Sequence, residues 1–167
     1  MKTIAQIAEL LTDVKITGAT DVNITDVTAD SRQVKPGSLF ICLDGAHVDG
    51  HAYAAKAVEA GAAALLVSKP VDVPANVTVL TVADTREAMK ACVPFFFDYP
   101  GCKMRMIGVT GTNGKTTTTH IIGHILRAQG YKVGIIGTVH VLIGLKAYPI
   151  HNTTPDVVDL QRILAQM

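Results

Sequence analysis

This sequence has no strong bias of charge. Lysine plus arginine number 15 and aspartate plus glutamate 14, a formal net charge of +1. With no charge run longer than a few residues, this excludes a general nucleic-acid or membrane-surface protein. Cysteine is scarce: Cys42, Cys92 and Cys102 form no C-x-x-C pair, and an odd number cannot fully pair within one chain. A reduced, cytoplasmic protein is expected, each thiol serving as a small hydrophobe. Long apolar runs are also missing. The stretch Ala62–Val67 is far too short to cross a bilayer. The N-terminal MKTIAQIAELL is interrupted by Gln6 and Glu9 and is no signal peptide. Internal repeats and low-complexity segments are absent. What remains is 167 residues, 49% of them apolar, enough for one or two domains with real cores.

The pattern along the chain alternates strand and helix. Thr3 and Gln6 read as a capping box for a helix near residues 3–11. Val22, Ile24 and Val27 suggest strand, Val34–Gly37 is turn chemistry, and Ser38–Leu43 is a strand. A glycine-flanked loop leads into the alanine-rich helix beginning at His51, which Gly61 stops. Short strands follow at 63–67 and 77–82. Asp84 caps a helix running to about Phe97, with Pro94 a kink or early end. Tyr99–Lys103 (YPGCK) is the domain boundary.

Beyond it, residues 104–110 read as a strand and Gly108–Thr118 as a glycine-rich loop. A helix then runs to about Gln129, with Ile121, Ile122, Ile125 and Leu126 at helical spacing and Gly130 as its stop. A strand over 132–139 completes a βαβ unit whose sheet is expected to be parallel. In the last stretch Thr154 can cap a helix, Pro155 suits its first position and Asp156 its first turn. One βαβ unit cannot cover both faces of its sheet, so the second domain is expected to be unfinished. The expected architecture is α/β: a mixed α/β domain over 1–101, then the beginning of a P-loop-type parallel α/β domain over 102–167.

Four stretches carry candidate chemistry. GVTGTNGKTTT (Gly108–Thr118) misses the strict P-loop pattern, because the required glycine five residues before Gly114 is Val109. The physics still fits an anion. Gly111 and Gly114 let backbone approach a phosphate, and the following helix N-terminus points its amides there. Lys115 can reach the terminal phosphates, and Thr116 can offer its hydroxyl to magnesium. In TADSR (Thr28–Arg32), Ser31 and Arg32 suit a diphosphate or base edge, or simply an exposed serine-capped turn. In GAHVDGH (Gly45–His51), His47 or His51 could ligate metal, but no partner stands at ligand spacing, and a loop histidine is usually just solvated. HNTTP (His151–Pro155) is a polar cradle at a helix start or an ordinary cap.

Together these stretches resemble the Mur ligases, which build the peptide stem of bacterial peptidoglycan. Folylpolyglutamate synthases have a related loop, but there glycine and serine usually follow the lysine, where this chain has Thr116 and Thr117. DSRQVKPGSLFICLDGAHVDGH is similar to the family's N-terminal uridine-diphosphate-binding domain, and NTTPDVVDLQRIL to the substrate segment of its central domain. The combination selects the member that adds the third amino acid. His140 departs from the family, where glycine is common after GTV.

The resemblance implies that Gly111, Thr112, Asn113, Gly114, Lys115, Thr116 and Thr117 bind ATP, with Lys115 catalytic and Thr116 on Mg2+. It implies that Ala29, Ser31, Ala46, His47, Val48, Asn152, Thr153 and Thr154 hold the UDP-N-acetylmuramoyl-dipeptide. ATP would phosphorylate the substrate's D-glutamyl carboxylate, and the incoming amino acid would attack the acyl phosphate. The family's carbamylated lysine, second magnesium site and amino-acid pocket fall beyond residue 167, so this stretch reads as an inactive fragment of the enzyme. A non-catalytic UDP-sugar or nucleotide module, or a Mur-type ligase adding a different residue, are the alternatives. Nucleic acid and membrane are not expected partners.

Overall fold

The computed structural model describes residues 1–45, 48–137, 139–149 and 155–167. The chain divides into two compact units, Met1–Asp98 and Tyr99–Met167.

The first unit is built on a five-stranded sheet. Its strands in chain order are β2 (Lys15–Thr17), β4 (Asp26–Thr28), β5 (Ser38–Ile41), β6 (Ala64–Val67) and β7 (Thr78–Thr81). In space they run β2-β7-β6-β5-β4. β4 to β7 are parallel neighbours in sequence order, and β2 closes the far edge antiparallel to β7. β1 (Lys2–Thr3) and β3 (Asn23–Ile24) form a separate two-stranded pair.

The central strands are apolar because both faces are covered, as a parallel sheet requires. Every residue of β5 and β6 is buried. Phe40, Leu65 and Val67 share one face with Ala54 and Ala57 of α2 (Ala54–Glu59). Leu39, Ile41 and Leu66 alternate to the other face. Each such side chain contributes about 1.5–3 kcal/mol when fully buried.

α1 (Ile4–Ala8) opens with the capping box read from sequence: Thr3 Oγ1 accepts from Gln6 N–H, and Gln6 Oε1 from Thr3 N–H. α3 (Thr85–Phe96) is capped by Asp84, which accepts from the amides of Arg86 and Glu87, and it carries Pro94 without ending there. α1 and α3 pack together and bury Ile4, Ile7, Met89, Cys92 and Val93.

The second unit holds α4 (Lys115–Ala128), α5 (Val157–Gln166) and a three-stranded sheet of β8 (Gly134–Ile136), β9 (His140–Ile143) and β10 (Lys146–Pro149). Several particulars differ from the sequence reading. Residues 105–110 form no strand, and Met106 and Ile107, the apolar residues behind that reading, are 59% and 55% exposed. Apolar character alone does not hold a strand that has no ladder partner. The sheet itself is an antiparallel meander rather than a parallel βαβ unit. Its second turn is the two-residue Gly144-Leu145, with Gly144 at φ 62°, a glycine position in tight hairpins.

α4 packs on β8, where a Cβ on Gly123 would come within 2.8 Å of Ile135 Cδ1. Gly130, at φ 85°, follows α4 as its stop. α5 is capped by Asp156, whose side chain accepts from Asp159 N–H at 2.8 Å. Pro155 therefore precedes the cap instead of opening the helix, and Thr154 lies outside the described residues.

Candidate functional site

The parallel strands β4, β5 and β7 each end in a loop on the same edge of the first unit's sheet. Those loops enclose a cleft of about 500 Å³. Ala29–Arg32 follow β4, Leu43, Gly45, Val48 and Gly50 follow β5, and Arg86 follows β7, with Phe40 of β5, Tyr53 and Lys56 completing the lining. Ligands of parallel α/β sheets bind beyond the carboxyl ends of the strands, which is where this cleft sits.

Of the residues expected to hold substrate, Ala29, Ser31 and Val48 line the cleft. Ala46, His47, Asn152, Thr153 and Thr154 lie outside the described residues. Four charged side chains border the space: Asp30, Arg32, Lys56 and Arg86. Three are cations, a balance that suits an anionic ligand. Asp30 caps the 3-10 turn Ser31–Gln33 by accepting from Arg32 N–H. It also pairs with the same guanidinium, Nε to Oδ1 at 2.9 Å and a terminal NH2 to Oδ2 at 2.8 Å. That guanidinium holds the Asp30 carboxyl below the usual carboxylate range. The sequence offered Ser31 and Arg32 here, with a serine as the turn's cap; the cap is Asp30 instead, and Tyr53, Lys56 and Arg86 are brought in by the fold.

The loop after β5 is drawn tight. Asp44 and Asp49 form an isolated bridge, Gly45 N–H donates to Val48 O at 3.1 Å, and Gly50 N–H to Leu43 O at 2.8 Å. Lys69 donates to Asp44 Oδ2 and Asp49 Oδ2, both at 2.8 Å. The Lys69 ammonium, then the His51 amide and ring, push the Asp49 carboxyl far down. His51, expected to be solvated, is not: its side chain is 7% exposed. Nδ1 lies 2.5 Å from Asp49 Oδ1, and Nε2 accepts the Ser68 backbone N–H at 3.0 Å. With both nitrogens engaged, His51 has no free position for a metal. Among the described residues no group of three His, Cys, Asp or Glu could hold a metal ion. The thiols of Cys42 and Cys92 are buried and pushed up to about 12 by that burial, so neither is a ready nucleophile.

In the second unit the glycine-rich loop leads directly into α4. Gly111 stands at φ 148° and Gly114 at φ 77°, conformations that suit glycine and are strained for other residues. Gly114 is the N-cap of α4 and offers no side-chain oxygen. The N-termini of α1, α3 and α5 are closed by Thr3, Asp84 and Asp156. α4 instead presents the exposed residues Lys115, Thr116 and Thr117 at an end without a side-chain cap. Lys115 Nζ folds back onto the loop, donating to Gly111 O and, at 3.4 Å, to Thr112 O. A lysine above a glycine loop, beside unpaired amides at the positive end of a helix, fits a phosphate group. Thr116 is exposed one residue into the helix. No described helix is long and apolar enough to cross a membrane.

Two family models match. Residues 23–96 match the Mur ligase family catalytic domain and 109–167 the Mur ligase middle domain. Curated relatives carry the name UDP-N-acetylmuramoyl-L-alanyl-D-glutamate–2,6-diaminopimelate ligase. The protein of Geobacillus thermodenitrificans is 50% identical over 145 residues, 87% of this chain and 29% of that one. That of Bacteroides fragilis is 44% identical over 166 residues, 97% of this chain and 34% of that one. The chain thus spans about a third or less of these relatives. Among solved structures, one of a ligase of the same name is 25% identical with a TM-score of 0.74, covering 98% of this chain and 33% of its own. MurF from Acinetobacter baumannii is 22% identical with a TM-score of 0.66, covering 100% of this chain and 34% of its own, a likeness of fold.

Proposed function

Because this chain belongs to the Mur ligase family, we propose that it works as the N-terminal part of an ATP-dependent ligase that adds the third amino acid to UDP-N-acetylmuramoyl-L-alanyl-D-glutamate. The observation that carries the reading is the end of α4, where a glycine loop, Lys115 and a helix N-terminus without a side-chain cap converge. The names of the relatives supply the substrate and point to 2,6-diaminopimelate as the added residue.

In this reading the first unit, with the boundary near residue 101, is the substrate-binding domain and the second is the beginning of the ATP domain. The cleft of the first unit holds the uridine diphosphate end. Ser31 and the backbone at Ala29 meet it from the β4 side and Val48 from the β5 side; Ala46 and His47, outside the described residues, are assigned to the same ligand. Arg32, Lys56 and Arg86 supply the positive charge. Asn152, Thr153 and Thr154, outside the described residues, are assigned to hold the muramoyl-dipeptide.

In the second unit, Gly111–Thr117 would hold the phosphates of ATP, the Thr116 hydroxyl would hold Mg2+, and Lys115, now donating to Gly111 O, would serve a terminal phosphate. ATP with Mg2+ supplies the phosphoryl group that activates the D-glutamyl carboxylate toward the incoming amine. Lys115 neutralises charge that grows on the transferring group, and the amides of the α4 N-terminus stabilise it without reorganising. The balanced charge and the buried free thiols fit the cytoplasm.

The test uses the full-length protein with UDP-N-acetylmuramoyl-L-alanyl-D-glutamate, ATP, Mg2+ and either 2,6-diaminopimelate or lysine, following phosphate release. Release with diaminopimelate and little with lysine is expected. Equal release without any amino acid contradicts the ligase reading.

A further inference from the structure

We propose that His51 is a positioning residue. It takes no part in lining the cleft, yet it sets the loop after β5 that forms one wall. The proposal rests on the reading of that cleft as the uridine diphosphate site.

The chemistry follows from the partners. A backbone N–H can only donate, so His51 Nε2, at 3.0 Å from Ser68 N, is the acceptor and carries no proton. In the neutral ring the proton is then on Nδ1, facing Asp49 Oδ1. Asp49 Oδ1 also accepts the His51 backbone N–H at 3.0 Å, which fixes the carboxylate relative to the ring. Ser68 immediately follows β6, a wholly buried strand. The ring therefore ties the loop to the end of a strand that is buried along its whole length. Lys69, the next residue, ties the same loop through Asp44 and Asp49. Gly45, Val48 and Gly50, which line the cleft, lie between these anchors. A ring held at both nitrogens, and 7% exposed, positions the loop and does not itself meet a ligand.

The test compares His51→Gln with His51→Phe in the 167-residue chain, using UDP as the probe. Gln keeps an acceptor near the Nε2 position; Phe keeps the ring volume and loses it. Affinity by calorimetry and the Ser68 amide resonance by NMR are read together. Phe, which loses the hydrogen bonds of both ring nitrogens, is expected to weaken UDP about tenfold or more and to shift the Ser68 amide proton upfield. Gln is expected within about threefold of the wild type, since its amide oxygen takes the Ser68 N–H. Wild-type affinity in the Phe variant, or equal loss in both, overturns the proposal. If the Phe variant does not fold, the ring 15N shifts of wild-type His51 decide. An Nδ1–H tautomer supports the proposal, and a proton on Nε2 overturns it. If the wild type binds UDP and the variants do not differ, the positioning role alone falls. If the wild type does not bind UDP, the reading of the cleft falls and takes this proposal with it.

Discussion

Arg86, in the first turn of α3, donates from a terminal NH2 to the backbone carbonyl of Asp44 at 2.9 Å. The contact spans 42 residues of sequence and ties the helix after β7 to the loop after β5. It spends a cation of the cleft on shaping the cleft wall. Replacing Arg86 with Met keeps the stem and removes the donor. UDP affinity is expected to fall by up to about tenfold, while unfolding free energy changes by less than about 1 kcal/mol. Calorimetry and urea unfolding on one preparation check both; unchanged affinity would show that the contact is idle.

Gly50 tests how closely that loop is packed. A Cβ there would lie 2.8 Å from both the N and the O of Leu43, atoms of backbone that cannot swing aside. Gly50→Ala is expected to destabilise the first unit by about 1–3 kcal/mol. Gly108→Ala meets nothing within 4 Å and serves as the control, with a change of about 0.5 kcal/mol or less. Urea denaturation followed by far-UV circular dichroism distinguishes them. Equal midpoints for the two variants would mean the loop is not held as described.

Acid should loosen the same region. Asp49 is pushed down chiefly by Lys69, and Asp30 by Arg32. A carboxyl with a lowered folded-state pKa contributes stability that is complete above its unfolded value near 4. That contribution is lost as the pH falls through the folded value. The melting temperature of the first unit is therefore expected to hold from neutral pH to about 4 and then decline. Asp49→Asn removes one of these groups and should flatten part of the decline. A melting temperature that rises below pH 4 would reverse the sign of the argument.

Protection should differ along the chain. β5 and β6 are buried throughout, whereas the second unit's described core consists of Ile135, Val141, Val158 and Leu164. Amide exchange is expected to be slowest at residues 39–41 and 64–67 and faster in β8 to β10. Comparable protection in both units would contradict this difference in buried core.

Much of this was legible where a local rule decides. The Thr3–Gln6 box, the Asp84 cap and the glycine stops at Gly61 and Gly130 needed only neighbours within a few residues. The glycine turn from Gly111 into a helix at Lys115 was legible because glycine positions and a helix start are local signals. What was not legible depends on distant partners. Residues 104–110 read as a strand from their apolar content, but pairing is not written in a segment by itself. The β9–β10 hairpin hangs on Gly144, which no neighbouring proline or asparagine announces. His51 looked like a solvated loop residue because Ser68, which orders it, lies 17 positions away. Arg86 and Lys56 reach the cleft only through the parallel order of β4 to β7.

The claim that Gly108–Thr118 is the ATP phosphate loop of a ligase is tested most directly by Lys115→Ala in the full-length protein. Ligation rate and affinity for UDP-N-acetylmuramoyl-L-alanyl-D-glutamate are measured on the same preparation. Removing the ammonium leaves charge on the transferring phosphoryl group unbalanced, so the rate is expected to fall on the order of 100- to 1,000-fold. The uridine end is assigned to the first unit, so its affinity should stay within about twofold of wild type. Ligation by Lys115→Ala at near wild-type rate would contradict the phosphate-loop assignment, and the proposed function with it.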